Sequence, residues 1–249
     1  MKEFVKHLLK HVGFELIRTR AHVEDLLLSN KVAVVLDVGA NDGLYARYLR
    51  SAGYRGRIVS FEPLREAFEA LRAQTLRDPH WEAVNAGLGR ADGLATISKA
   101  RRSVFSSILQ PLPSLKEFAY NDIESVGQEQ FTLTTLDSQF PLFVHSNEKV
   151  FLKIDTQGYE KEVVLGAAGS LASIWGIQLE LSLQPLYEGE ASISEMISLL
   201  EQHGFMMALI DPVTYDHQRG ILLQIDCVFL RRNSELLKPA EDVSRSSRR

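Results

Sequence analysis

Apolar and polar positions change rhythm at about residue 32. From there, apolar runs of strand length alternate with stretches of helical period. "VAVVLDVG" (32–39) predicts a strand, 43–52 a helix, "GRIVSFEP" (56–63) a strand and 64–76 a helix. "HWEAVNAGLG" (80–89) predicts a third strand. Over 94–136 the alternation breaks. "LATISKA" and "QFTLTTL" have period-two character and predict short antiparallel strands. "SVFSSILQPLPSLKEF" between them, rich in Ser and Pro, reads as a loop. The rhythm returns with a strand at "VFLKIDTQG" (150–158), a helix at 160–172, a strand at "WGIQLELSL" and a helix at 192–203. "FMMALID" and "QIDCVFLRR" close the pattern as two strands with a long turn between them.

Alternation of this kind predicts an α/β fold, a mostly parallel sheet covered by helices on both faces. Ahead of it, Phe4, Val5, Leu8, Leu9, Val12, Leu16 and Ile17 fall near one helical face, with Lys2, Lys6, Lys10 and Arg18 mostly on the other. Residues 1–31 are thus expected to be a helical extension. It packs across the domain or touches anionic lipid peripherally. The domain proper is expected over 32–232 with an insertion at about 94–135, followed by a disordered tail over 233–249.

Composition narrows the class. A formal charge of −4 and 24% charged residues do not suggest a nucleic-acid partner. A single cysteine, Cys227, excludes an internal disulfide framework and a multi-cysteine zinc site. No apolar run reaches the ~18 residues of a membrane span, and no secretory signal is evident. A cytoplasmic setting is the expectation.

The polar exceptions to the apolar strands point to chemistry. Asp37 ends the first strand, Glu62 the second and Asp155 the fourth; Asn85 lies in the third and Glu180 in the fifth. Ligands of such folds sit outside the carboxyl ends of the strands, and an acid in an apolar strand is costly without a partner. In "VVLDVGANDG", Gly39 and Gly43 bracket a turn that lets backbone approach a ligand. The stretch is not G-x-G-x-x-G, and no Walker lysine follows. Glu62 is placed to accept hydrogen bonds from both hydroxyls of a ribose, and Pro63 stops its strand. A ribose without a diphosphate points to S-adenosylmethionine. The expected cofactor contacts are Asp37, Gly39, Asn41, Gly43, Glu62, Pro63, Asn85 and Ser107, with Asp37 orienting the turn or accepting from the methionyl ammonium.

With "LDVGANDGLYA", "IVSFEP", "VNAGLG" and above all "FLKIDTQGYEKEVVLGA", the chain resembles the FkbM-type methyltransferases over roughly residues 32–231. One departure is Gln157, where that family often has Glu. The resemblance implies a Rossmann-like class I methyltransferase fold with seven strands in the order 3-2-1-4-5-7-6, strand 7 antiparallel. It also implies O-methylation of a hydroxyl on a sugar or secondary metabolite, to which the basic amphipathic N-terminus adds a glycolipid. Asp155 and Glu180 are then the expected catalytic residues, either as an oxygen-rich Mg²⁺ site with a substrate diol or, for Asp155, as a general base. The plainer alternatives are Asp155 capping the "TQGYE" turn and Glu180 paired with Lys153. Ser106, Ser107, Tyr187 and Glu188 are further candidates for the pocket wall. His145 and His203 read as isolated surface or core residues.

Three other functions fit the sequence less well. An inactive binding module is disfavoured by the intact Asp37, Glu62 and Asp155. A nucleic-acid methyltransferase lacks its basic stripe and N-P-P-Y-like tetrapeptide, and an NAD-dependent oxidoreductase lacks the third glycine.

Overall fold

The computed structural model of the protein describes residues 22–217 and 219–233. In chain order its strands are β1 (Val34–Val38), β2 (Arg57–Phe61), β3 (Trp81–Val84), β4 (Gly87–Leu88), β5 (Gly93–Ala100), β6 (Ser125–Thr134), β7 (Val150–Ile154), β8 (Ile174–Ser182), β9 (Phe205–Asp216) and β10 (Ile221–Arg231). Its helices are α1 (Val23–Ser29), α2 (Leu44–Ser51), α3 (Arg65–Thr75), α4 (Pro113–Ala119), α5 (Leu136–Phe143), α6 (Glu160–Leu165) and α7 (Ile193–Gln202).

Seven strands form one sheet in the order β3-β2-β1-β7-β8-β10-β9. The first five run parallel, and β10 runs antiparallel to both of its neighbours. This is the Rossmann-like order expected, with β7, β8, β10 and β9 as the fourth, fifth, seventh and sixth strands. The alternation of strand side chains builds two cores. Val34, Leu36 and Val38 point to one face, against Val163, Val164, Met196 and Leu200 of α6 and α7. Val35 points to the other, against Leu27, Ala46, Leu49 and Leu71 of α1, α2 and α3. Each such fully buried Leu or Val contributes about 1.5–3 kcal/mol relative to exposure.

A polar row crosses this apolar sheet. Asp37 is in register with Ser60 on β2 and Lys153 on β7, and Lys153 with Gln178 on β8. All four are buried.

Several local expectations are corrected. The stretch 80–89 is two strands: after Val84 the chain leaves the main sheet, and β4 pairs instead with β6 of a small sheet, ordered β4-β6-β5. Gly87 permits the switch, because a side chain there would collide with the Phe131 ring. The Ser- and Pro-rich loop contains a 3-10 turn at Ser103–Phe105 and helix α4. The helix expected over 160–172 stops at Leu165, where Gly166 lies against the Gly89 carbonyl. The closing strands are longer than expected, and only residues 217–220 separate β9 from β10. Most of the expected N-terminal extension and all but residue 233 of the expected tail lie outside the described residues. Among the described residues no helix is long and apolar enough to cross a membrane.

Candidate active site

The site grows from the end of β1. Gly39 has φ +77°, and a Cβ there would lie 1.9 Å from the Asp155 carbonyl oxygen, so only glycine lets this turn pack against the turn after β7. The Gly39 and Ala40 N–H groups donate to the Phe61 carbonyl. Asn41 is also left-handed, at φ +49°. Gly43, at φ +86°, caps the start of α2.

Glu62 closes this turn. Its Oε2 accepts from the Asn41 N–H and its Oε1 from the Leu64 N–H, both at 2.8 Å. Burial pushes its carboxyl up to about 7, although the Leu64 and Asn41 N–H groups pull the other way. Asn85 holds the same segment from behind, donating to the carbonyls of Glu62 at 2.9 Å and Pro63 at 3.1 Å.

A cavity of about 450 Å³ opens beside this corner, within the usual range for small-molecule sites. Gly39, Asn41, Glu62, Pro63, Asp155 and Glu180 line it. The small sheet and the loop after β5 supply an apolar wall that includes Leu88, Ile97, Phe105, Ile108 and Phe131. Thr156, Gln157 and Tyr159 stand across from them, and Val213, Thr214 and Gln224 reach in from the β9–β10 hairpin.

Four expected contacts do not line the cavity. Asp37 is fully buried beneath the turn, taking a 3.0 Å hydrogen bond from Ser60 with the Lys153 ammonium 3.6 Å away, so it orients the turn and does not face the cavity. Gly43 is pressed against Trp81 and Leu71. Asn85 spends its amide on backbone. Ser107 points away, donating to the Gln157 carbonyl at 2.7 Å, and Ser106 takes the place on the wall.

The acids after β7 and on β8 are joined by an amide. Gln157 Nε2 donates to Asp155 Oδ1 and to Glu180 Oε2, each at 2.9 Å. Its Oε1 accepts from the Tyr187 hydroxyl at 3.0 Å. Gln157 holds this position with a left-handed backbone, φ +55°, a conformation costly for a non-glycine residue. Gln224 Nε2 donates to the same Glu180 oxygen at 2.8 Å. Lys153 Nζ lies 3.2 Å from Asp155 Oδ2. Burial would lower the Lys153 ammonium, but Asp155 and Asp37 outweigh it and hold it above its ordinary value. Burial, then the Asp155 and Asp226 charges, push the Glu180 carboxyl well up.

Neither plainer alternative describes this arrangement. Glu180 bonds two amides rather than Lys153. The "TQGYE" turn is capped by Glu160, whose Oε1 accepts from the Thr156 N–H and hydroxyl and the Gly158 N–H. The expected Mg²⁺ site finds no support. N–H donors occupy the space between the two carboxylates, and the ammonium of Lys153 holds Asp155. Among the described residues no group of three His, Cys, Asp or Glu side chains is arranged to hold a metal. As they stand, Gln157 and Lys153 take up the carboxylate oxygens that would hold the ion.

Sequence reasoning missed Gln224 and the hairpin wall, and left Gln157 without a role. Its departure from the family pattern was the available signal.

Residues 37–207 match the methyltransferase FkbM domain. The chain is 27% identical over 227 residues to the AMB antimetabolite synthetase AmbE of Pseudomonas aeruginosa, covering 80% of this chain and 11% of that protein's length. Among solved structures it is similar to the magnesium protoporphyrin IX methyltransferase ChlM of Synechocystis with bound SAM (TM-score 0.47, 9% identity, 84% of this chain and 76% of that one). It is also similar to the 1,6-didemethyltoxoflavin-N1-methyltransferase of Burkholderia thailandensis (TM-score 0.46, 14% identity, 92% and 86%). With its match running from the acid of the glycine turn into the sixth strand of the sheet, the chain belongs to the FkbM methyltransferase family.

Proposed function

We propose that the protein transfers a methyl group from S-adenosylmethionine to a hydroxyl of a sugar, glycolipid or secondary metabolite. The observation that carries this reading is the seat of Glu62. Each carboxylate oxygen takes one backbone N–H, which fixes its orientation. A carboxylate offers about four lone-pair sites, so capacity remains for the two hydroxyls of a ribose. The adjoining wall of Leu64, Leu88, Ile97 and Phe131 suits the flat face of a purine.

Bound there, the sulfonium supplies an activated methyl group. The chain's own part is to place the acceptor and manage its proton. Asp155, at the cavity wall and oriented by Lys153 and Gln157, receives the proton of the acceptor hydroxyl. Burial, then the Asp155 and Asp226 charges, raise the Glu180 carboxyl. Its Oε2 accepts the Gln157 and Gln224 amides, which leaves Oε1 as the oxygen that can meet the acceptor. Similarity to an antimetabolite synthetase, of which this chain spans about 11%, favours a secondary metabolite within the acceptor class.

The test is transfer of labelled methyl from S-adenosylmethionine to a panel of hydroxylated sugars, glycolipids and metabolites. Label in an alkali-stable ether, lost in Asp155→Asn, supports the proposal. Label on nitrogen or carbon, or no transfer by a folded protein that binds S-adenosylhomocysteine, contradicts it.

A further inference from the structure

The charges around the cavity do not balance a zwitterionic ligand evenly. Three carboxyl groups line it: Glu62, Asp155 and Glu180. Among the described residues that line it, Arg102 is the one cationic side chain. Lys153, though close to Asp155, is committed to two carboxylates behind the wall. Arg47 pairs with Asp42 at 3.1 Å and is not part of the cavity surface.

Arg102 is held where it can serve. The next residue, Ser103, places its hydroxyl 3.0 and 3.1 Å from the two ends of the Asn41 side-chain amide. That contact ties the loop after β5 to the glycine turn that Glu62 closes. The Arg102 guanidinium rests over the Phe105 ring, 6.0 Å from its centroid, and Phe105 lines the cavity too. Its ion pair with Asp122 is long, 3.9 Å, between side chains that are 65% and 51% exposed, and such a pair contributes little. The neighbouring Arg101 differs: it sits 2.5 Å from Glu124 and does not reach the cavity.

We infer that Arg102 binds the carboxylate of the cofactor's amino-acid arm, as a second anchor beside the glycine turn that Glu62 closes. This rests on the cofactor reading above and adds a residue to it. A guanidinium presents a planar fork of donors that matches a carboxylate. The Ser103–Asn41 contact, one residue along, holds the segment that carries this fork against the glycine turn at the cavity wall.

Two ligands separate this clamp from a general effect. S-adenosylhomocysteine carries the amino-acid arm, and 5′-methylthioadenosine keeps the adenosine and the sulfur without it. Calorimetric titration of both into wild type, Arg102→Ala and, as a neighbouring control, Arg101→Ala is the experiment. In Arg102→Ala, S-adenosylhomocysteine is expected to weaken about two- to fivefold, while methylthioadenosine is unchanged. Arg101→Ala is expected to bind both as wild type does. The wild-type preference for S-adenosylhomocysteine is expected to shrink as salt is raised. Equal weakening of both ligands, or none of either, overturns the inference and leaves the cofactor reading standing. A folded wild type that binds neither overturns that reading, and this inference with it.

Discussion

The backbone N–H of Asn41 and the carboxylate of Glu62 meet at 2.8 Å, joining the turns that end β1 and β2. This contact makes the seat of Glu62 both a structural closure and a titrating one. Its carboxyl sits at about 7 in the free protein because it is buried. Hydroxyl donors from a ribose favour its charged form and lower that value on binding. Binding is therefore expected to release a proton near neutral pH, and affinity to rise as pH increases from 6 toward 8. Titrations of S-adenosylhomocysteine in two buffers of different ionisation enthalpy measure the release. Proton uptake, or affinity falling with pH, contradicts the assignment.

The same shift has a stability consequence that Glu160 isolates. Burial raises Glu160 to about 7 against an ordinary 4.5. A carboxyl raised on folding contributes stability that is fully present below its unfolded value and lost as pH climbs through its folded value. Glu62 and Asp226, the latter raised to about 6, act in the same sense. The ligand-free protein is expected to lose thermal stability between pH 5 and pH 8. Glu160→Gln keeps an acceptor for Thr156 and Gly158 and is expected to flatten that slope. An unchanged slope in the variant removes Glu160 from the account.

Lys153 neutralises a buried acid. Asp37 is fully buried, and its Oδ1 has the Lys153 ammonium as its nearest countercharge, at 3.6 Å. Lys153→Met is expected to cost about 3–5 kcal/mol in urea denaturation. Adding Asp37→Asn is expected to recover about 1 kcal/mol or more. Additive losses in the double variant show that the two residues do not couple.

Gln157 decides whether the acid pair takes a cation. Its amide fills the position between Asp155 and Glu180. Gln157→Glu makes three adjacent carboxylates, a donor set hard divalent cations favour. Mn²⁺ titration followed by electron paramagnetic resonance is expected to show binding in the variant and none in the wild type. Mn²⁺ bound by the wild type and lost in Asp155→Asn contradicts this view of the site.

The α/β class was legible because most strands are short apolar runs alternating with helical periods, while the strand order came with the resemblance to the FkbM-type methyltransferases. The strand-end acids were legible for a related reason: Asp37, Glu62 and Asp155 stand out in apolar surroundings. What they do there was less so. Asp37 looks like a ligand from its position, yet it faces the polar row beneath the turn, and only the register of β1 with Ser60 and Lys153 reveals that. Gln157 and Gln224 are neutral amides, ordinary in any loop or strand, and their function depends on contacts 23 and 44 positions away along the chain. The switch of β4 into a second sheet depends on Gly87 meeting Phe131, a packing fact that no local pattern encodes.

Glu62 is expected to seat the ribose of S-adenosylmethionine. Calorimetric titration of S-adenosylhomocysteine into the wild type and into Glu62→Ala, with folding of both confirmed by circular dichroism, tests it most directly. Binding by the wild type that is lost or reduced at least about a hundredfold in Glu62→Ala is the expected result. Equal affinity in the two, or no binding by the folded wild type, would contradict it.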